Sequence, residues 1–385
     1  MQSRMDAVQA PIIPIVGELL RTNPGTISLG QGMVSWGPPP AAIDAAREAA
    51  GLMASQRYGP VEGSPELVAA LGRKLREENG LDLDGSRVLV AAGSNMAFQS
   101  VVQAITSTGD EIVLPSPFYF NHDMAVRIAG CVPVIVPTDA QYQIDPEALA
   151  RAITPRTRAI VTVSPNNPAG AVYPAEALRA VNELCAERGL LHISDEAYEY
   201  FTWADCRHFS PASLPGAGAH TISLYSLSKA YGFAGWRIGY MVIPEALNEA
   251  VYKVQDTVLI CPTVVAQAAA LACVQEGRAW TARFLDPLRA VRREVLDLFT
   301  SIADICDVPT PGGAFYCLPR VRTPLTAISV MERLIREHKV AAIAGETFGL
   351  TEGCYLRVSY GALEGERVKE GMLRLVTGLR KVCEV

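Results

Sequence analysis

Short apolar runs and longer amphipathic stretches take turns through the middle of the chain. Aliphatic and β-branched residues concentrate at 87–92, 111–115, 132–137, 159–164, 190–194, 221–225 and 237–243, and most of the gaps between them can hold a helix. Parallel neighbours need such long crossovers, so the alternation predicts a mostly parallel sheet. The run Ala-Ile-Val-Thr-Val at 159–163 is apolar on both faces, as in a sheet covered by helices above and below. The gap at 226–236 is too short for a helical crossover, which makes the seventh run antiparallel. From about Trp280 the texture changes to a long amphipathic helix at 282–302, followed by runs at 315–318, 340–343 and 355–359 and a helix at 325–338. The expected fold class is therefore α/β. A three-layer α/β/α unit with a mostly parallel seven-stranded sheet carries a smaller α+β domain. The expected division is an N-terminal arm with part of the small domain at 1–45, a large domain at 46–280 and a small C-terminal domain at 281–385.

With 385 residues, 49% of them hydrophobic, the chain can bury a large core, and disorder as its main state is excluded. Its 34 basic and 40 acidic side chains give a net charge of −6 without a dense basic run, so nucleic acid is not an expected partner. Nine cysteines with no Cys-x-x-Cys pair read as reduced thiols of a cytoplasmic protein. The N-terminus lacks the pattern of a secretory signal, since Pro11, Pro14 and Glu18 interrupt its apolar stretch. The uncharged segment 257–275 is as long as a membrane span, yet Pro262, Thr263, Gln267 and its alanines favour a buried helix at a core or subunit contact. No membrane partner is expected.

The most informative chemistry lies just after the run at 221–225. Ser226, Ser228 and Lys229 stand together, with Arg237 eight residues on, at the carboxyl end of a strand, where open α/β sheets bind ligands. One amine beside several anion-binding donors suits a phosphorylated aldehyde: Lys229 would form a Schiff base while Ser226, Ser228 and Arg237 hold the phosphate. In isolation the segment also reads as a surface lysine in a glycine-rich loop. The aromatic residues from Tyr231 to Tyr240 argue against a plain solvated loop.

In these residues the sequence resembles the fold-type I pyridoxal-phosphate (PLP) enzymes, specifically the class I/II aminotransferases, and further motifs of that family appear in order. Gly93-Ser94-Asn95 lies between a strand and a helix, where the helix start would cap the cofactor phosphate. Asn166-Asn167-Pro168-Ala169-Gly170 is similar to the family's Asn-Pro-x-Gly turn, and by that match Asn167 donates to the ring hydroxyl oxygen. Asp195 closes the next strand; its carboxylate would keep the pyridine nitrogen protonated, so that the ring accepts electron density from the substrate α-carbon. The resemblance makes Tyr198 a second partner of the ring oxygen and Tyr119 the ring that stacks on the pyridine. It also makes Tyr58 a residue that reaches the phosphate across a homodimer interface. Taken alone, each of these has an ordinary reading: a helix N-cap at Ser94, Asn95 or Asp195, a Pro/Gly turn at 167–170, packing aromatics at 119 and 198, a turn residue at 58.

For the substrate, the alternation of Tyr355-Leu-Arg357-Val-Ser359 puts Arg357 on one face with Tyr355 and Ser359, and a guanidinium grips a carboxylate bidentately. The family places its α-carboxylate arginine in this motif. The segment 29–38, which holds Gly32 and Trp36, joins the motifs around Tyr58, Tyr119, Tyr198 and Asp256 in resembling the plant aromatic aminotransferases that use methionine as amino donor. More distantly it is similar to the kynurenine/glutamine transaminases. Ala169 stands where many relatives carry Thr or Ser, and Asn95 where others carry Gln. The resemblance implies a ping-pong transfer of an amino group from an amino acid to a 2-oxo acid, with Lys229 as the proton-moving base. No second arginine is recognisable for a side-chain carboxylate, so an aromatic or methionine-like donor is expected, with Gly32, Trp36, Tyr119, Asn167 and Phe348 around it. A β-eliminating C–S lyase would share most of these cofactor contacts. A non-enzymatic PLP-binding module is a further alternative. No metal is expected.

Overall fold

The structure, a computed structural model, describes residues 3–383. After a short strand β1 (Ile27–Ser28), the central sheet is built from β2 (Ser86–Ala91), β3 (Glu111–Ser116), β4 (Val132–Pro137), β5 (Thr157–Val163), β6 (Leu191–Asp195), β7 (Thr221–Ser226) and β8 (Gly239–Pro244). Their order is β2-β8-β7-β6-β5-β3-β4. Pairs among β3 to β7 are parallel, whereas β8 runs antiparallel to both β7 and β2. Two reversals leave β2 pointing the same way as β7, so β2, β3, β5, β6 and β7 all end at one edge of the sheet. The mostly parallel seven-stranded sheet and the antiparallel last strand match the alternation in the sequence.

Side-chain alternation explains the three layers. Ile112 and Leu114 join one buried cluster while Val113 between them joins another, and Ala159 and Val161 flank Ile160 in the same way. Both faces of these strands are dry, and each is sealed by helices. Two helices have well-defined starts. The helix α3 (Pro65–Asn79), preceded in the chain by α1 (Ile12–Thr22) and α2 (Pro40–Ala50), is capped by the Ser64 hydroxyl, which accepts from Leu67 N–H at 3.4 Å. It ends at Gly80, whose φ of 69° stops it. The helix α4 (Ser94–Ile105) springs from Gly93 at φ 84°, where a Cβ would collide with the Arg237 guanidinium.

A second sheet forms from β9 (Cys306–Asp307), β10 (Tyr316–Cys317), β11 (Arg320–Val321), β13 (Ile343–Ala344) and β14 (Cys354–Ser359), while β12 (Val340–Ala341) pairs in parallel with β1. The run at 340–343 is thus two strands with different partners. β1 ties the N-terminal segment to this sheet, and Ser359 N–H donates to Leu29 O at 2.6 Å. The segment ahead of residue 45 is less of a bare arm than its Pro and Gly content implied, because it includes α1 and the start of α2. A continuous helix, Arg278–Thr300, runs through the change of texture near Trp280. The uncharged segment 257–275 divides into Asn248–Leu259 and Val264–Glu276, separated by Ile260 at φ 67°. Among the described residues no helix is long and apolar enough to cross a membrane.

Candidate active site

The strand ends that share one edge of the central sheet open into a cavity of about 220 Å³. Lys229, Asp195, Tyr198, Asn167, Tyr119, Ser94, Asn95, Ser226, Ser228, Arg237, Arg357 and Gly32 all line it, though they come from positions spread over more than three hundred residues. Most stand just past a strand or at a helix start: Asp195 ends β6, Ser226 ends β7 and caps the short helix Leu227–Ala230, and Tyr119 precedes the helix α5 (Phe120–Ile128). A larger groove of about 910 Å³ runs past residues 138–142 and Arg320, but it brings no lysine to its walls.

The Lys229 amine is buried and donates to Gly32 O at 2.5 Å. Burial, reinforced by the Arg357 and Arg237 guanidinium groups and opposed by Asp195, lowers its pKa to about 8. Asp195 is buried between two restraints. His122 Nε2 lies 3.1 Å from one carboxylate oxygen, and Ala197 N–H donates to the other at 3.1 Å. His122 is itself stacked on Phe98, with ring centroids 4.0 Å apart. Tyr198 OH accepts from Asn167 Nδ2 at 3.3 Å and shares a proton with Tyr316 OH at 2.7 Å. Burial holds the Tyr198 phenol well above its ordinary value, so it stays neutral and able to donate.

Arg357 is 2% exposed, and its hydrogen bonds go to neutral oxygens. It donates to Asn167 Oδ1 at 2.9 Å and to Gly30 O at 2.6 Å, and its Nε has no partner among the described residues. A buried guanidinium satisfied only by neutral acceptors is a receptor for a carboxylate. Arg237, in the left-handed region at φ 56°, folds its guanidinium back to Ala234 O at 2.9 Å beside the start of α4. This conformation is why β8 begins at Gly239 and not at residue 237. The start of α4, where the first N–H groups lack intrahelical partners, lines the same cavity as Ser226 and Ser228. Three cations, Lys229, Arg237 and Arg357, face one carboxylate, Asp195, across the described lining. That surplus suits a ligand bringing a phosphate at one end and a carboxylate at the other. The residues fit PLP with an amino acid: an amine with no carboxylate at hydrogen-bond distance, an anion corner at α4, a fixed carboxylate and a buried guanidinium held only by neutral acceptors.

Three expected residues lie elsewhere. Trp36 stacks on Phe284, with centroids 4.5 Å apart and planes 2° from parallel, so its ring is taken up by packing and does not line the cavity. Phe348 stands behind Arg357, its ring 5.1 Å from the guanidinium. Tyr58 is 81% exposed and lies outside the cavity of its own chain. Sequence reasoning passed over His122, Tyr316, Ile13, Met33 and Phe120. His122 had a local signal, sitting one helical turn after Tyr119. Ile13 and Tyr316 had none, because only the pairing of distant elements brings them to the wall.

Comparison with known proteins agrees with this geometry. Residues 24–375 match the family model for aminotransferase class I and II. The chain is 33% identical to an aspartate aminotransferase of Pyrococcus abyssi over 387 residues, covering 99% of this chain and 98% of that protein. It is also 33% identical to the aromatic aminotransferase ISS1 of Arabidopsis thaliana, covering 97% and 94%. The solved structure of a Thermus thermophilus aspartate aminotransferase with maleate superposes with a TM-score of 0.90 at 32% identity, covering 98% of this chain and 100% of that one.

Proposed function

Given that the chain belongs to the class I and II aminotransferases, a PLP-dependent family with this fold, we propose that it moves an amino group from an aromatic or methionine-like amino acid to a 2-oxo acid in two half-reactions. The names of its relatives divide between aspartate and aromatic amino acids. The observation that carries the choice is the wall around Lys229. Beyond the three cations already engaged, the described lining offers Ile13, Met33, Phe120 and Tyr316 and no further lysine or arginine. From this chain's described lining a side-chain carboxylate would meet no charge partner there, whereas a ring or thioether would bury apolar surface.

When bound, PLP supplies an aldehyde that takes the amino group and a ring that draws electrons from the substrate α-carbon. Ser94, Asn95, Ser226, Ser228 and Arg237 would hold its phosphate, and Asp195, kept in place by His122, would hold a proton on the ring nitrogen. Asn167 and Tyr198 would donate to the ring oxygen, and Tyr119 would cover the ring face. Arg357 fixes the substrate carboxylate and thereby directs the α-hydrogen towards Lys229. Lys229 is the group placed to take that proton and return it, and in the cofactor-free protein its amine already has a lowered pKa of about 8.

The working unit in this proposal is a homodimer to which Tyr58 contributes across the interface. Exposed apolar side chains gather near it: Leu52, Met53, Tyr58, Val258 and Ile260 flank the contact of Gly59 N–H with Cys261 Sγ at 3.3 Å. Sedimentation velocity tests this, and a monomer at working concentration rejects it. The substrate reading is tested by mixing the PLP-loaded enzyme with single amino acids and following loss of cofactor absorbance. Phenylalanine, tyrosine and methionine should react at least ~10-fold faster than aspartate and glutamate; the reverse order rejects it.

A further inference from the structure

The turn after β6 has two faces. Asp195 and Tyr198 point into the cavity. Glu196 and Glu199, from the same turn, point away into a second buried polar cluster, which hydrogen-bonds to none of the cavity's ligand-facing groups.

Lys74 of α3 is the cation of that cluster and is 8% exposed. Its amine donates to both oxygens of Glu199 at 2.5 and 2.6 Å and to Asn79 Oδ1 at 2.8 Å, and it lies 5.0 Å from the centre of the Tyr225 ring and 5.2 Å from that of Tyr200. Asn79 Nδ2 donates to Glu199 at 2.8 Å and to Ser210 Oγ at 3.0 Å. Ser210 in turn donates to Glu196, which also meets His208 Nε2 at 2.8 Å. A single chain of hydrogen bonds, charge-assisted at both ends, therefore runs from α3 to both carboxylates on the back of the turn. Burying so many charges is expensive unless each is held in place, and a well-packed apolar contact would serve stability alone as well.

We propose that Lys74 and Glu199 are positioning residues for transamination: their buried ion pair, carried through Asn79 and Ser210 to Glu196, fixes the turn that presents Asp195 and Tyr198. This rests on the reading of Asp195 as the partner of the cofactor ring. The front of the turn is restrained at its side chains, by His122 on Asp195 and by Asn167 and Tyr316 on Tyr198. The ion pair restrains it from behind, through the backbone between residues 195 and 199. Loss of that anchor lets the carboxylate swing relative to the ring without removing any group that touches the ligand, and small displacements at a reacting centre are costly.

The test uses PLP-loaded enzyme carrying Lys74→Met with Glu199→Gln, which removes both charges and leaves neither buried alone, so that the chain folds. The readouts are melting temperature, the visible circular dichroism of bound PLP, and the amino-acid half-reaction at saturation. The expected result is a melting temperature within a few degrees of wild type, a reduced visible dichroism signal, and a half-reaction rate at least ~10-fold lower with the amino acid's apparent affinity nearly unchanged. Lys74→Arg, which keeps the charge, should recover part of both the dichroism and the rate. Wild-type dichroism and rate in the folded double variant overturn the proposal, as does a rate loss that only tracks the loss of folded protein. Asp195→Asn separates the two levels. If it is inactive while the double variant is normal, the positioning role alone fails; if it is itself near normal, the reading of Asp195 fails as well.

Discussion

Lys74 is buried and Lys229 is half-buried with its amine turned into the cavity, and their charged neighbours differ. Lys74 is gripped by a carboxylate at hydrogen-bond distance and enclosed by aromatic rings. Lys229 donates to a neutral carbonyl, and the Arg357 and Arg237 guanidinium groups outweigh Asp195 around it, so its charge is easily given up. Burial alone therefore does not make an amine reactive. What decides is whether the fold sets a carboxylate against the amine at hydrogen-bond distance or surrounds it with cations that outweigh the nearest one.

The largest expected effect tests the reactive side of this contrast. Lys229→Ala should lower transamination by at least ~10⁴-fold while the chain stays folded, because both the covalent anchor and the proton carrier are gone. Turnover within tenfold of wild type would remove Lys229 from the chemistry.

The next effect is on stability, and it has opposite signs at the two lysines. In the cofactor-free protein, Lys229 carries a lowered pKa of about 8 against 10.5 in the unfolded chain. Below pH 8 both states hold the proton and folding bears the full cost of a buried charge. Between these values only the unfolded chain holds it, and the cost of folding with a neutral amine grows smaller as pH rises. Lys229→Met should thus stabilise cofactor-free protein near neutral pH by about 3 kcal/mol, with the gain gone by about pH 10.5. Lys74→Met should instead destabilise by ~3–5 kcal/mol near neutral pH, since Glu199 is left buried without its cation. Urea unfolding of the three proteins across this range decides it; equal signs for the two substitutions would break the comparison.

A smaller effect sharpens it. Arg357→Gln removes one of the cations that disfavour a charged Lys229, so the pH at which the wild-type stability gain begins should move upward. An unmoved onset would leave burial and Arg237 as the causes.

Much of the fold was legible because β-branched runs separated by helical gaps leave few topologies open. Ala-Ile-Val-Thr-Val can be dry on both faces only inside a covered sheet, and the gap after Ser226 is too short for a crossover, so β8 had to turn back. Strand ends were less legible. Arg237 reads as the start of a strand until its left-handed backbone is seen, and the run at 340–343 reads as one strand until β1 arrives to pair with half of it.

For the site, the sequence by itself determined which chemical groups were present and which strand each one succeeded. A lysine after serines, an aspartate closing a strand and an arginine among aromatics carry their chemistry wherever they fold. Only the tertiary structure decided which of them meet. It placed Arg357 against Asn167, Ile13 in the wall and Trp36 against Phe284, and it set Glu199, from the same turn as Asp195, against Lys74. The reason is physical: a group's charge and its pKa depend on dielectric and neighbours, and in a doubly covered sheet those neighbours come from elements far apart along the chain.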